Sequence, residues 1–131
     1  MIVDSSALMA ILQGEPGAEE LTRAVAAAPC RMSAATWLEV GIVADQRSAA
    51  HGERLNQLIE LLGIEIVPVT AQHGAVARQA YRRYGRGNHS GAALNFGDVF
   101  SYALSVVTGE PLLFVGDDFP HTDVAAAIAP R

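Results

Sequence analysis

Four short apolar runs set the limits on this fold. Ile2-Val3, Cys30-Arg31-Met32, residues 64–69 and residues 112–115 read as short buried strands, and stretches of helical periodicity separate them. Residues 5–13 carry Leu8, Ile11 and Leu12 on one stripe, with Gly14 as a stop. Pro16 suits the first turn of a helix running to about residue 28. Ser33 caps a helix carrying Ala35, Leu38 and Ile42 that ends around residue 48, and a fourth helix covers about 52–62. Thr70 caps a helix to Tyr84, residues 85–95 read as one flexible loop, and Asn95 opens a helix through residue 107. Strands alternating with helices in this way predict an α/β sandwich around a mostly parallel sheet. No repeat or linker interrupts the pattern, so residues 1–131 are expected to form one domain.

Composition narrows the function classes. Half of the 131 residues are hydrophobic and 18% are charged, which excludes disorder as the main state. The single cysteine, Cys30, leaves no internal disulfide and fits a reducing compartment. The opening Met-Ile-Val-Asp lacks a basic leader region, and no apolar run approaches the ~20 residues of a membrane span, so a cytoplasmic protein is expected. A net charge of −5 argues against indiscriminate nucleic-acid binding but leaves room for a local basic groove. All nine cations are arginines. The lack of lysine excludes Walker-type phosphate binding, Schiff-base chemistry and acid-pocket phosphotransfer that needs a lysine partner.

The acids carry the functional information. Asp4 ends the first strand and Asp117-Asp118 follow the last one, so parallel strands bring them to one edge of the sheet, where open α/β folds place their ligands. Asp98 falls in the first turn of a helix, and Glu39 borders the apolar stripe of another. Each has a plainer reading: Asp4 as a helix cap, Asp98 as the acid of a capping box with Asn95, Glu39 as a solvated helix residue, Asp117 and Asp118 as turn residues. A cap has no reason to recur at one sheet edge, whereas a cation site does. Clustered carboxylates repel, and a set with no histidine or cysteine prefers Mg²⁺ or Mn²⁺.

Four of the nine arginines, Arg78, Arg82, Arg83 and Arg86, lie within nine residues, with Tyr81 and Tyr84 between them. Arginine grips phosphate through two parallel hydrogen bonds and stacks on bases, although a solvated helix face is the plainer reading. A cation site beside a basic stripe is what metal-assisted cutting of a polyanion requires. The histidines show no zinc-ligand spacing, the glycines of residues 85–91 follow a helix and not a strand, and Trp37 is expected in the core.

Ile2-Val3-Asp4-Ser5-Ser6-Ala7-Leu8, the internal Glu39, Leu94-Asn95-Phe96-Gly97-Asp98 and residues 112–119, ending Gly116-Asp117-Asp118-Phe119, resemble a PIN domain, most closely the VapC toxins of toxin–antitoxin modules. The resemblance implies a three-layer α/β/α sandwich and a Mg²⁺- or Mn²⁺-dependent endoribonuclease. It implies Asp4 and Asp98 as metal ligands, with Glu39 and Asp118 completing the catalytic acids. Ser6 matches the small hydroxyl residue that orients the first aspartate, and is grouped with Arg82 and Arg86 on the substrate side of the site. The family's last motif often reads Thr-x-Asp-x-Asp-Phe. Here Gly116 stands at its first acid, so the fourth carboxylate is Asp117 or Asp118, with register favouring Asp118. The resemblance also implies an RNA substrate, a VapB-type antitoxin with a basic segment, and a homodimer. Apolar Leu55, Leu58, Ile59 and Leu62 on the fourth helix are available for the dimer contact. Two other readings remain open at this point: another acid-pocket phosphoryl hydrolase, and a non-catalytic module that binds a metal or a partner.

Overall fold

Asp4 closes the first strand and opens the first helix in a single residue. A computed structural model describes residues 1–129, and in it β1 is Ile2–Val3 and α1 is Ser5–Gln13. The Asp4 carboxylate accepts the Ser6 N–H as an N-cap, and Gly14 ends the helix at φ 62°, where a side chain would be strained. Helix α2 is Ala18–Ala26. It starts past Pro16 because Gly17, at φ 91°, breaks the chain direction first. Strand β2 is Arg31–Ser33, one residue later than Cys30 suggested; the Cys30 thiol donates instead to the Val25 and Ala28 carbonyls.

Ser33 caps α3, Ala34–Arg47. Ser48 then does double duty: its N–H reaches the Ala44 carbonyl at the end of α3, and its hydroxyl accepts the His51 N–H. Helix α4, Ala49–Leu62, therefore begins three residues before the expected Gly52. Strand β3 is Glu65–Val67, cut short ahead of Pro68, which has no N–H to donate. Helix α5 is Ala71–Tyr84, α6 is Asp98–Thr108, β4 is Leu112–Leu113, and a 3₁₀ turn covers Phe119–His121.

The four strands run in the order β3-β2-β1-β4, all parallel, with Ile2 opposite Leu112 and Val3 opposite Leu113. Alternation along a strand then divides the core. Ile2 and Leu112 join Ala77, Ala80, Tyr102 and Leu104 of α5 and α6 on one face, while Val3, Leu113 and Met32 join Leu8, Leu21, Val25 and Leu55 on the other. Helices cover both faces, which is the three-layer sandwich.

Two expectations are corrected by α3 and α4. The inward face of α3 is Thr36, Val40 and Ala44, and the expected core residues Leu38 and Ile42 are 61% and 49% exposed. Small residues at four-residue spacing let α3 sit close to the sheet and turn its bulkier apolar side chains outward, Trp37 among them at 45% exposure. On α4, Leu55 and Ile59 are buried and Leu58 and Leu62 pack against the same core, so the fold of the single chain already engages all four. Exposed apolar side chains lie on α3, at Leu61 of α4 and at Phe96.

Candidate active site

Parallel pairing brings the carboxyl ends of β1, β2 and β4 to one edge, and the residues that follow them build the site. Asp4 is 2% exposed, and both of its carboxylate oxygens accept hydrogen bonds. Its Oδ2 accepts the Ser6 N–H at 3.0 Å and the Ser6 hydroxyl at 2.7 Å, and its Oδ1 accepts the Ser101 hydroxyl at 2.5 Å. Ser6 in turn accepts the Val115 N–H at 3.0 Å, tying the end of β1 to the chain leaving β4. The one proton of the Ser6 hydroxyl is spent on Asp4, so Ser6 orients that carboxylate. Ser101 and Thr36 lie 3.2 Å apart, both buried.

Asp98 and Asn95 make the reciprocal pair of a capping box: the Asn95 N–H donates to Asp98 Oδ2 and the Asp98 N–H to Asn95 Oδ1, each at 2.9 Å. Capping and clustering coexist here. Burial is the main reason the Asp98 carboxyl is pushed up from 3.8 to about 6; the Asn95 N–H opposes the rise, and the charges of Asp4, Asp118 and Glu39 add to it. Glu39 is also raised, first by burial and then by Asp4, against the pull of the Ser5 hydroxyl 3.3 Å from Oε1.

The Glu39 carboxylate lies directly against Gly97, where a β-carbon would overlap it. Asp118 is exposed and acts on Asp98 electrostatically. Asp117 is not among the acids acting on Asp98 and instead lines a separate cavity. Gly116 separates these two acids from β4 at φ 116°, a conformation that the family's usual aspartate would hold only under strain.

All four arginines of the cluster are exposed, and Arg83 alone of them pairs with Asp123, at 3.5 Å, and lies over the Tyr84 ring. Asp123 also accepts from the buried Tyr102 hydroxyl, which makes it a strut between the C-terminal segment and α6. The Arg86 N–H donates to the Leu94 carbonyl at 3.1 Å, so the basic stripe ends beside the Asn95–Asp98 turn. The loop 85–95 is more tied down than its composition suggests. Asn88 donates to the Arg82 carbonyl, Ser90 and Ala92 close side-chain turns, and Ala92 and Leu94 are fully buried.

Ser101, Thr36 and Gly97 are the working residues that sequence reasoning missed. The signal was present in the spacing: Thr36 stands three residues before Glu39, and Ser101 three after Asp98, each a hydroxyl one helical turn from an acid. Ser101→Ala is expected to lower stability by about 1.5–3 kcal/mol, the usual worth of a hydrogen bond to a charged group. Urea unfolding measures it, and an unchanged midpoint would show that Asp4 is held without Ser101.

Among the described residues no three His, Cys, Asp or Glu side chains close into a full set of metal ligands, yet the donor chemistry fits a hard divalent cation. Four oxygen acids share the edge, and burial first, with the neighbouring acids adding to it, pushes the Asp98 carboxyl up to about 6. A cation would relieve that repulsion and draw the acids together.

Comparison with known proteins agrees with this geometry. Residues 1–125 match the model of the PIN domain family. Ribonuclease VapC42 of Mycobacterium tuberculosis is 49% identical over 97% of this chain and 98% of its own length. Ribonuclease VapC of Mycolicibacterium smegmatis is 51% identical over 96% and 98%. The chain belongs to the PIN-domain family and, within it, to the VapC ribonucleases. Its fold is similar to that of M. tuberculosis VapC20, a sarcin–ricin loop-cleaving toxin, with a TM-score of 0.74 at 18% identity over 98% of each chain. It is also similar to a chain of a toxin–antitoxin complex from Klebsiella pneumoniae, with a TM-score of 0.66 at 17% identity over 90% of this chain and 88% of that one.

Proposed function

We propose that this protein is the toxin of a toxin–antitoxin pair, an endoribonuclease that hydrolyses RNA phosphodiester bonds with Mg²⁺ or Mn²⁺. The observation that carries the reading is the convergence of Asp4, Glu39, Asp98 and Asp118, whose charges add to the burial that pushes Asp98 up to about 6. Asp4 and Asp98 would hold the ion, Asp4 in the orientation fixed by Ser6 and Ser101 and Asp98 through the oxygen its capping box leaves free. When bound, a divalent cation neutralises charge on the scissile phosphate and acidifies a water. Glu39, its affinity for a proton raised by burial, is the base that takes the proton from the attacking water. Asp118 completes the acid edge from the opposite side. The expected ends are 5′-phosphate and 3′-hydroxyl.

The exposed groove beside the acids fits the antitoxin. It measures about 300 Å³ and is lined by Leu38, Ile42, Val43, Phe96 and Phe100, with Glu39 at its margin. An amphipathic segment would fill it, and an arginine on that segment would reach Glu39. Homodimerisation belongs to the same proposal, and sedimentation of the toxin with and without antitoxin reads it. A cytoplasmic location belongs to the same proposal; among the described residues no helix is long and apolar enough to cross a membrane.

The test is digestion of total bacterial RNA with Mg²⁺, with Mn²⁺ and with EDTA, beside Asp4→Ala. Discrete fragments that need both the metal and Asp4 are expected. A folded, antitoxin-free protein that cuts nothing would return the site to a non-catalytic binding module. Reversing charge at Arg82 and Arg86 together is expected to weaken RNA binding and to reduce the slope of log K against log salt by about 2, close to one for each lost phosphate contact. An unchanged slope would leave both arginines as solvated surface.

A further inference from the structure

The chain leaving β4 has two sides. Asp118 acts on Asp98, while Asp117, one residue earlier and ~3.8 Å away along the backbone, lines a cavity on the other side. That cavity is about 280 Å³, just below the roughly 300–1,000 Å³ of ligand sites, which suits one planar heterocycle better than a whole nucleotide. Pro16, Pro120 and Phe114 line it, and the Phe114 ring is braced by Phe119 at a centroid distance of 5.2 Å. Apolar side chains interleaved with polar groups, the carboxylates of Asp117 and Glu20 among them, describe a base-stacking slot that has acceptors at its rim.

We infer that this cavity, framed by Phe114, Pro16, Pro120 and Asp117, is a nucleobase subsite of the proposed ribonuclease that selects guanine. The inference rests on the ribonuclease reading above and adds to it the specificity-determining group. An ionised carboxylate only accepts hydrogen bonds. Guanine offers two adjacent donors, N1–H and the N2 amino group, to both carboxylate oxygens at once. Adenine and cytosine each offer a single amino group beside a ring acceptor, and uracil a single N–H between two carbonyls, so each sets a lone pair against the carboxylate. The edge read is the Watson–Crick edge, so the guanine is unpaired and pulled out of its stack. Because Asp117 and Asp118 are neighbours, the base belongs to a nucleotide one or two positions from the scissile phosphate.

Cleavage sites in total RNA are mapped at single-nucleotide resolution for the wild type and Asp117→Asn. The mapped site is then placed in an oligonucleotide carrying guanine or inosine, which lacks the N2 amino group. Wild type is expected to cut with guanine at one fixed position and to lose about tenfold in kcat/KM with inosine. Asp117→Asn is expected to lose most of that difference. Sites without a fixed guanine, or an equal inosine penalty in both proteins, would overturn the inference. Should the wild type cut nothing, the ribonuclease reading fails on its own, and the subsite is still decided by amide chemical shifts. Movement at residues 114–119 with GMP but not AMP supports it, and equal movement with both, or none with either, overturns it.

Discussion

Replacing Asp98 with asparagine is expected to reduce RNA cleavage by about a thousandfold while raising the melting temperature of the metal-free protein at neutral pH. The loss in rate follows from removing a metal ligand, because charge stabilisation at a scissile phosphate is worth several kcal/mol. The gain in stability follows from the direction of the carboxyl's shift. Asp98 titrates at about 6 in the folded chain against an ordinary 3.8, so between those values the folded state binds more protons than the unfolded one. Stability is therefore lost as pH rises from about 4 through 6, and the penalty is complete at pH 7.5. Asparagine carries no such penalty. It also keeps an oxygen to accept the Asn95 N–H, so the capping box survives in part. The wild type should accordingly melt higher at pH 5 than at pH 7.5 and regain the difference at pH 7.5 when Mg²⁺ or Mn²⁺ is added, and Asp98→Asn should lose the metal response and keep only the smaller pH response left by the raised Glu39. Scanning calorimetry across pH and metal reads all of these. A variant that cuts RNA normally would remove Asp98 from the metal role. A variant that melts lower at pH 7.5 would show that its cap outweighs the crowding of acids.

The sequence carried the architecture because that information is local. Asp4, Ser33, Thr70 and Asn95 each announce a helix start through side-chain oxygens that accept backbone N–H groups. The short apolar runs between those helices can only be strands covered on both faces. The acids were legible for a related reason: parallel strands end at one edge, so Asp4 and Asp118, which follow two of them, both act on Asp98. Direction around a helix was not legible on α3. Leu38 and Ile42 have the hydrophobicity of core residues, and what turned them outward was the close approach allowed by Thr36, Val40 and Ala44 to elements distant in the chain. The hydrogen bond from Ser101 to Asp4 spans ninety-seven positions and could be seen only once the fold had joined them. The division of labour between Asp117 and Asp118 turns on one residue, Gly116, whose backbone angle no sequence pattern states.

Gly97→Ala is expected to cost about a hundredfold in cleavage with almost no change in stability, which makes it the sharpest test of where Glu39 must sit. Gly97 has φ −68° and ψ −39°, ordinary helical values, so nothing in the backbone asks for glycine there. In such a position alanine is the better residue by about 0.4–1 kcal/mol through the entropy of the unfolded chain. What forbids it is the neighbour: a β-carbon at Gly97 would occupy the space of the Glu39 carboxylate. That carboxylate is the free end of a flexible side chain, so it can swing toward the exposed groove without disturbing α3 or α6. The fold survives while the proposed base leaves the attacking water, and loss of a positioned general base costs roughly 10²–10⁴ in rate. The double variant Glu39→Ala/Gly97→Ala should then cut no more slowly than Glu39→Ala alone, since both substitutions remove the same group from the same place. Additive losses would mean that Gly97 acts through some other contact, and full activity in Gly97→Ala would mean that the Glu39 carboxylate does its work from a position other than the one it occupies against Gly97.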